Sequence, residues 1–131
     1  MLMRRKILVV DDAPVERAGT ALSLMSLGFE VEQVQDGHEA LSKVKTNLYA
    51  LILMDNHMPT MTGSECARQI RDHESQTGER TPIVCFSSVD LEHGCQMCLD
   101  AGMDDCLSKS CTTEDLGQMI GRWNGPSVSK S

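Results

Sequence analysis

Short apolar runs alternate with longer stretches in which apolar residues recur every three or four positions, and the alternation repeats five times along the chain. KILVV at 6–10 is apolar and rich in β-branched residues after its first position, as expected of a strand covered on both faces. A helix follows: Pro14 suits a first helical position, Val15, Ala18, Leu22 and Met25 recur at helical spacing, and Gly28 is placed to end it. Residues 29–34 alternate apolar with acidic or amide side chains, the pattern of a half-exposed edge strand. Asp36 and Gly37 turn the chain into a helix carrying Ala40, Leu41 and Val44, and ALILM at 50–54 reads as a central strand with Asp55 at its carboxyl end. Gly63 precedes a helix with Cys66, Ala67 and Ile70, and residues 74–81 read as a polar loop. PIVCF at 82–86 is a fourth strand, running into Ser87 and Ser88. The next helix, from about Asp90, turns Cys95, Cys98 and Leu99 inward and stops at Gly102. DCLS at 105–108 is a short fifth strand before Lys109. Thr112 or Thr113 caps a last helix with Glu114 and Asp115 in its first turn and Leu116, Ile120 and Trp123 as its core stripe. The reading is one domain over 1–124 with a frayed tail at 125–131.

Strands and helices alternating at this spacing predict an α/β fold, a parallel sheet with helices on both faces. Such sheets bind ligands beyond the carboxyl ends of their strands. Asp11 and Asp12 close the first strand, Asp55 the third, Ser87 the fourth, and Lys109 follows the fifth, so all five belong to one rim. Carboxylates gathered there repel one another by about 4 kcal/mol per pair at 4 Å and intermediate dielectric. A hard divalent cation relieves this, and Mg²⁺ favours one or two carboxylates together with water and phosphate oxygens. Metal plus a lysine neutralises a transferring phosphoryl group, and a small hydroxyl such as Ser87 can hydrogen-bond one of its oxygens. The parts match an aspartyl-phosphate site. Asp104 and Asp105 precede the fifth strand, at the opposite edge, and read as surface.

A net charge of −7 argues against direct binding of nucleic acid, which needs a basic footprint. No apolar run approaches the roughly 18 residues of a membrane span, and the basic start runs straight into a strand rather than a signal-peptide core. Six cysteines are many for 131 residues. With no export signal they are expected as reduced thiols in the cytoplasm, without a disulfide framework. Cys95 and Cys98 lack a second pair of ligands for zinc and are expected in the core, while Cys106, near the rim, is a candidate oxidisable thiol. A flavin-binding or hydrolase reading is weakened because DDAP at 11–14 stands where a phosphate loop would be.

KILVVDD at 6–12, MDNHMP at 54–59 with Gly63, FSS at 86–88 and AGMDDCLSK at 101–109 together resemble the response-regulator receiver domains of two-component signalling, over essentially the whole chain from Lys6 to about Trp123. The wording after Asp55 is similar to receivers of hybrid sensor kinases and phosphorelays. The resemblance implies a flavodoxin-like, doubly wound five-stranded sheet of order 2-1-3-4-5 with five helices. It implies Asp55 as phosphoacceptor; Asp11, Asp12, Asp55 and the backbone carbonyl of His57 as ligands of Mg²⁺ (or Mn²⁺); Ser87 as the switch hydroxyl; and Lys109 as the phosphate-binding lysine. It also implies a histidine kinase or histidine phosphotransfer domain as donor, a downstream protein effector, no membrane insertion, and a monomer or weak dimer. The output is altered partner binding, not turnover. Whether the chain is a stand-alone receiver, a phosphorelay shuttle or part of a hybrid kinase stays open, and a constitutive interaction module is the competing reading.

Three departures bear on mechanism. Cys106 stands where the family often has an aromatic, so a swing of that ring is not available as a signal. Ser110 replaces the usual proline after the lysine; the expectation leans to a cis Lys109–Ser110 bond, although a non-proline cis bond costs about 2.5–4 kcal/mol. Val89 offers no polar group to orient an attacking water, so autodephosphorylation is expected to be slow, to be checked against Val89→Glu.

Overall fold

The computed structural model describes residues 6–87 and 91–124, without the side chains of 91–94 and 124. Five strands, β1 (Lys6–Val10), β2 (Glu30–Val34), β3 (Leu51–Met54), β4 (Ile83–Ser87) and β5 (Asp105–Ser108), alternate with α1 (Pro14–Ser26), α2 (Gly37–Thr46), α3 (Gly63–Thr77), α4 (Leu91–Asp100) and α5 (Thr113–Asn124). The strands form one parallel sheet in the order β2-β1-β3-β4-β5. Both Val89 and the tail 125–131 lie outside the described residues.

Side-chain alternation along the central strands divides the core in two. Ile7, Val9, Leu51, Leu53, Val84 and Phe86 face one side, where Leu24 of α1 and Leu116, Met119 and Ile120 of α5 cover them. Leu8, Val10, Ile52, Met54, Ile83 and Cys85 face the other, against residues of α2, α3 and α4. Strands buried on both faces must be apolar at every position, as the sequence shows. Local signals set the helix ends: Asp36 accepts from the Glu39 N–H at 2.8 Å, and Thr62 and Glu65 form a reciprocal cap at the start of α3.

The structure corrects several sequence-based expectations. On α1 the buried residues are Ala21 and Leu24, while Val15 (85% exposed), Leu22 and Met25 face outward. The helix carries two apolar stripes of equal period, and only the direction in which it meets the sheet selects one. Residues 74–77 continue α3, which ends at Gly78 in the left-handed conformation (φ 82°). Glu74 is buried there, accepting from Arg71 and from the Thr81 N–H, so it is no loop residue. Asp104 is no free surface acid: it accepts from Arg71, Arg80 and the Ile83 N–H and locks α3 to the lower edge of the sheet. Asp105 accepts from Arg122 and from the indole N–H of Trp123, which is 37% exposed, and Leu99 is likewise exposed. The Lys109–Ser110 bond is trans. Lys109 reaches the rim without the cost of a non-proline cis bond.

The cysteines differ most. Cys66, Cys85 and Cys98 are buried and free, but Cys95 of α4 and Cys106 of β5 are joined in a disulfide. Strand register decides this, because it sets Cys106 beside Cys85 under α4, a juxtaposition the sequence spacing does not encode.

Candidate functional site

The site gathers where β1, β3, β4 and β5 end. Its strands hold one another in depth: the Asp55 N–H donates to the Val10 carbonyl at 3.0 Å, and the Lys109 N–H to the Ser87 carbonyl at 2.9 Å. Asp11 and Asp55 are buried (2% and 7% exposed) at their strand ends, Ser87 is buried at the end of β4, and Asp12 is exposed. Carboxylate oxygens of Asp11, Asp12 and Asp55 all lie within 4.8 Å of one another.

Lys109 crosses this cluster. Its Nζ lies 2.7 Å from Asp11 Oδ2, 3.2 Å from Asp55 Oδ2 and 2.8 Å from Glu16 Oε1. Burial works against its charge, but hydrogen bonds to Asp11 and Glu16 and the charge of Asp55 outweigh burial and hold its pKa above the usual lysine value. Burial pushes the Asp55 carboxyl up; the His57 N–H, which donates to Oδ1 at 3.1 Å, and Lys109 pull it back. His57 therefore enters the site through its backbone, with its side chain exposed.

The loop after β3 is shaped around Asp55. Gly63 begins α3 so close to it that an added Cβ would overlap the Asp55 carbonyl oxygen and lie 2.9 Å from the Asn56 Cα. Asn56 Oδ1 then accepts from both the N–H and the hydroxyl of Ser64 at 2.9 Å, pinning loop to helix. The sequence reading missed Asn56, Ser64 and Glu16. Glu16 lies in the first turn of α1, the helix that follows the Asp11–Asp12 pair in the chain.

The donor set tests the metal reading. Asp11 Oδ1 accepts from the Ala13 N–H, and its buried Oδ2 meets the Lys109 ammonium group at 2.7 Å. Three carboxylates converging within 4.8 Å, two of them buried, form a set of hard oxygen donors that fits a divalent cation.

Comparison with known proteins gives a consistent picture. A family model described as "Response regulator receiver domain" matches residues 7–121. The chain is 39% identical over 114 residues to the sensor histidine kinase RcsC of Salmonella typhi, a match covering 87% of this chain but only 12% of that protein. It resembles the receiver domain of the sensor histidine kinase PA1611 of Pseudomonas aeruginosa, a structure with a magnesium ion in its active-site cleft (35% identity, TM-score 0.84, 93% of this chain and 98% of that one). It also resembles a receiver structure from Saccharomyces cerevisiae, the co-crystal of the histidine phosphotransfer protein Ypd1 with the receiver domain of Ssk1 (26% identity, TM-score 0.85, 95% and 91% covered).

Proposed function

The chain belongs to the response regulator receiver domain family, and on that footing we propose that it takes a phosphoryl group from a phosphohistidine onto Asp55. The observation that carries this reading is the meeting of Asp11, Asp12 and Asp55 within 4.8 Å, with Lys109 bridging two of them. An Asp55 oxygen attacks phosphorus, the P–N bond to the donor's imidazole breaks, and the imidazole leaves with the bonding pair and takes up a proton. Lys109 and the His57 N–H offset part of the burial that raises the Asp55 carboxyl and so favour the carboxylate that attacks. Lys109 then exchanges its carboxylate partners for a phosphoryl oxygen, and Ser87, at the same rim, hydrogen-bonds another. Asp11, Asp12, Asp55 and the His57 carbonyl would hold Mg²⁺ (or Mn²⁺), which supplies the remaining neutralising charge.

The donor is a histidine kinase or histidine phosphotransfer domain. The exposed apolar stripe of α1 supports this, because Val15 stands three residues from Asp12 and gives a partner somewhere to seat beside the acceptor. Phosphorylation biases the surface of α4, β5 and α5, which a downstream protein effector reads, so the domain works as a switch and not as a turnover enzyme. The working form is a cytoplasmic monomer or weak dimer. Among the described residues no helix is long and apolar enough to cross a membrane.

The test is incubation with Mg²⁺ and acetyl phosphate followed by intact mass. An addition of about 80 Da, abolished in Asp55→Asn, is expected; the same addition surviving in that variant would defeat the assignment.

A further inference from the structure

Four of the six cysteines meet between β4, β5 and α4, away from the carboxylate cluster. Cys85 and Cys106 are register partners on adjacent parallel strands, so their side chains share the face that α4 covers. From α4, Cys95 closes a disulfide on Cys106 with Cα atoms 5.8 Å apart, inside the range that needs no backbone movement. One turn on, Cys98 is fully buried with Sγ 3.1 Å from that of Cys85. The two pairs differ in access. Cys95 and Cys106 are half-buried and open to small reactants, while Cys85 and Cys98 are sealed.

We propose that Cys95 and Cys106 form a reversible dithiol–disulfide site whose reactants are small thiols and small disulfides, and that its oxidation fastens α4 to β5 and restrains the face they share. The second half rests on the signalling role assigned above; the first does not. In reduction, the thiolate of a small thiol attacks one of the two sulfurs and the S–S bond breaks. A mixed disulfide forms, and the released protein thiolate takes up a proton. A second small thiol attacks the mixed disulfide, leaving two protein thiols and one small-molecule disulfide, with two electrons and two protons passed to the protein. Oxidation is the reverse, with a small disulfide as electron acceptor.

The position gives the bond leverage. Cys106 lies three residues before Lys109 on the strand that carries that lysine to the rim. While oxidised, the Cα separation cannot exceed about 6.8 Å. Once reduced, α4 keeps its packing and the Cys98–Cys85 contact but loses its covalent tie to β5, with Met97 (57% exposed) and Leu99 turned outward.

The test uses the whole 131-residue protein, incubated with dithiothreitol or with oxidised glutathione, alkylated in denaturant and weighed. Six alkylated cysteines are expected after dithiothreitol and four after the disulfide, with peptides of Cys95 and Cys106 as the bridged pair. Six in both, a different pair, or a bridge that dithiothreitol cannot open in the native protein would overturn the site. Titration with Mg²⁺ and beryllofluoride, followed by amide NMR of α4 and β5, tests the fastening. Oxidised protein should bind about threefold or more weakly than reduced protein or Cys106→Ser, because the competent state is less populated. Equal affinities would overturn the fastening. No binding to any form would count against the Asp55 reading, and the alkylation count would still decide the cysteine site.

Discussion

The ammonium group of Lys109 lies 3.2 Å from Oδ2 of Asp55, joining residues 54 positions apart. Because the same Nζ also meets Asp11 and Glu16, a single cation serves three carboxylates. The cluster therefore stays short of positive charge, and much of its chemistry follows from that deficit.

Asp55 is the first place to see it. Burial raises the pKa of this acid above its unfolded value, so the folded state binds its proton more tightly. Ionised Asp55 thus destabilises the fold, a cost absent at low pH that sets in as pH rises through the unfolded pKa and is complete above the raised one. Asp55→Asn should therefore raise Tm at neutral pH by about 2–5 °C, and the gain should shrink as the pH falls into the carboxylate range. Thermal melts of both proteins across pH check this; a lower Tm for the variant at pH 7 would contradict it.

Metal should act in the same sense. Mg²⁺ is expected to raise the melting temperature of the wild type, because it binds only the folded cluster. Asp12→Asn removes an exposed carboxylate of the proposed metal site without disturbing the core, so apo stability should hold while Mg²⁺ affinity falls roughly tenfold or more. Calorimetric titration against Mg²⁺ is the measurement.

Gly63 tests the shape of the loop. Gly63→Ala drives a Cβ into the Asp55 carbonyl and towards Asn56, so it should cost about 2–3 kcal/mol in urea unfolding and slow acetyl-phosphate labelling. Ser64→Ala, which removes only a hydroxyl donor to Asn56, should cost about 1 kcal/mol.

Arg71 separates stability from chemistry. It donates to the carbonyls of Thr81 and Gly102 and pairs with Glu74 and Asp104 at the edge opposite the acceptor. Arg71→Ala should cost about 3–5 kcal/mol by leaving partly buried carboxylates underpaired. Labelling of Asp55 well below Tm should proceed at the wild-type rate; a large loss of labelling in folded protein would show the two edges to be coupled.

Reduction of the disulfide should lower stability by about 2–3 kcal/mol, the loop-closure value for cysteines 11 positions apart. Urea unfolding with and without dithiothreitol measures it, with Cys106→Ser as the control that no longer responds.

The sequence by itself determined the order and kind of the ten elements, because strands buried on both faces must be apolar at every position and amphipathic helices between them must repeat every three or four. It also determined the rim: parallel strands bring their carboxyl ends to one side, so Asp11, Asp12, Asp55, Ser87 and Lys109 had to collect there. Only the tertiary structure decided which of two apolar stripes α1 buries, since periodicity sets a face's spacing and not its direction. It alone recruited Glu16 and Asp104 into ion pairs, and alone brought Cys95 onto Cys106. Those contacts depend on strand register and helix tilt, which are set by packing between segments that no local pattern relates.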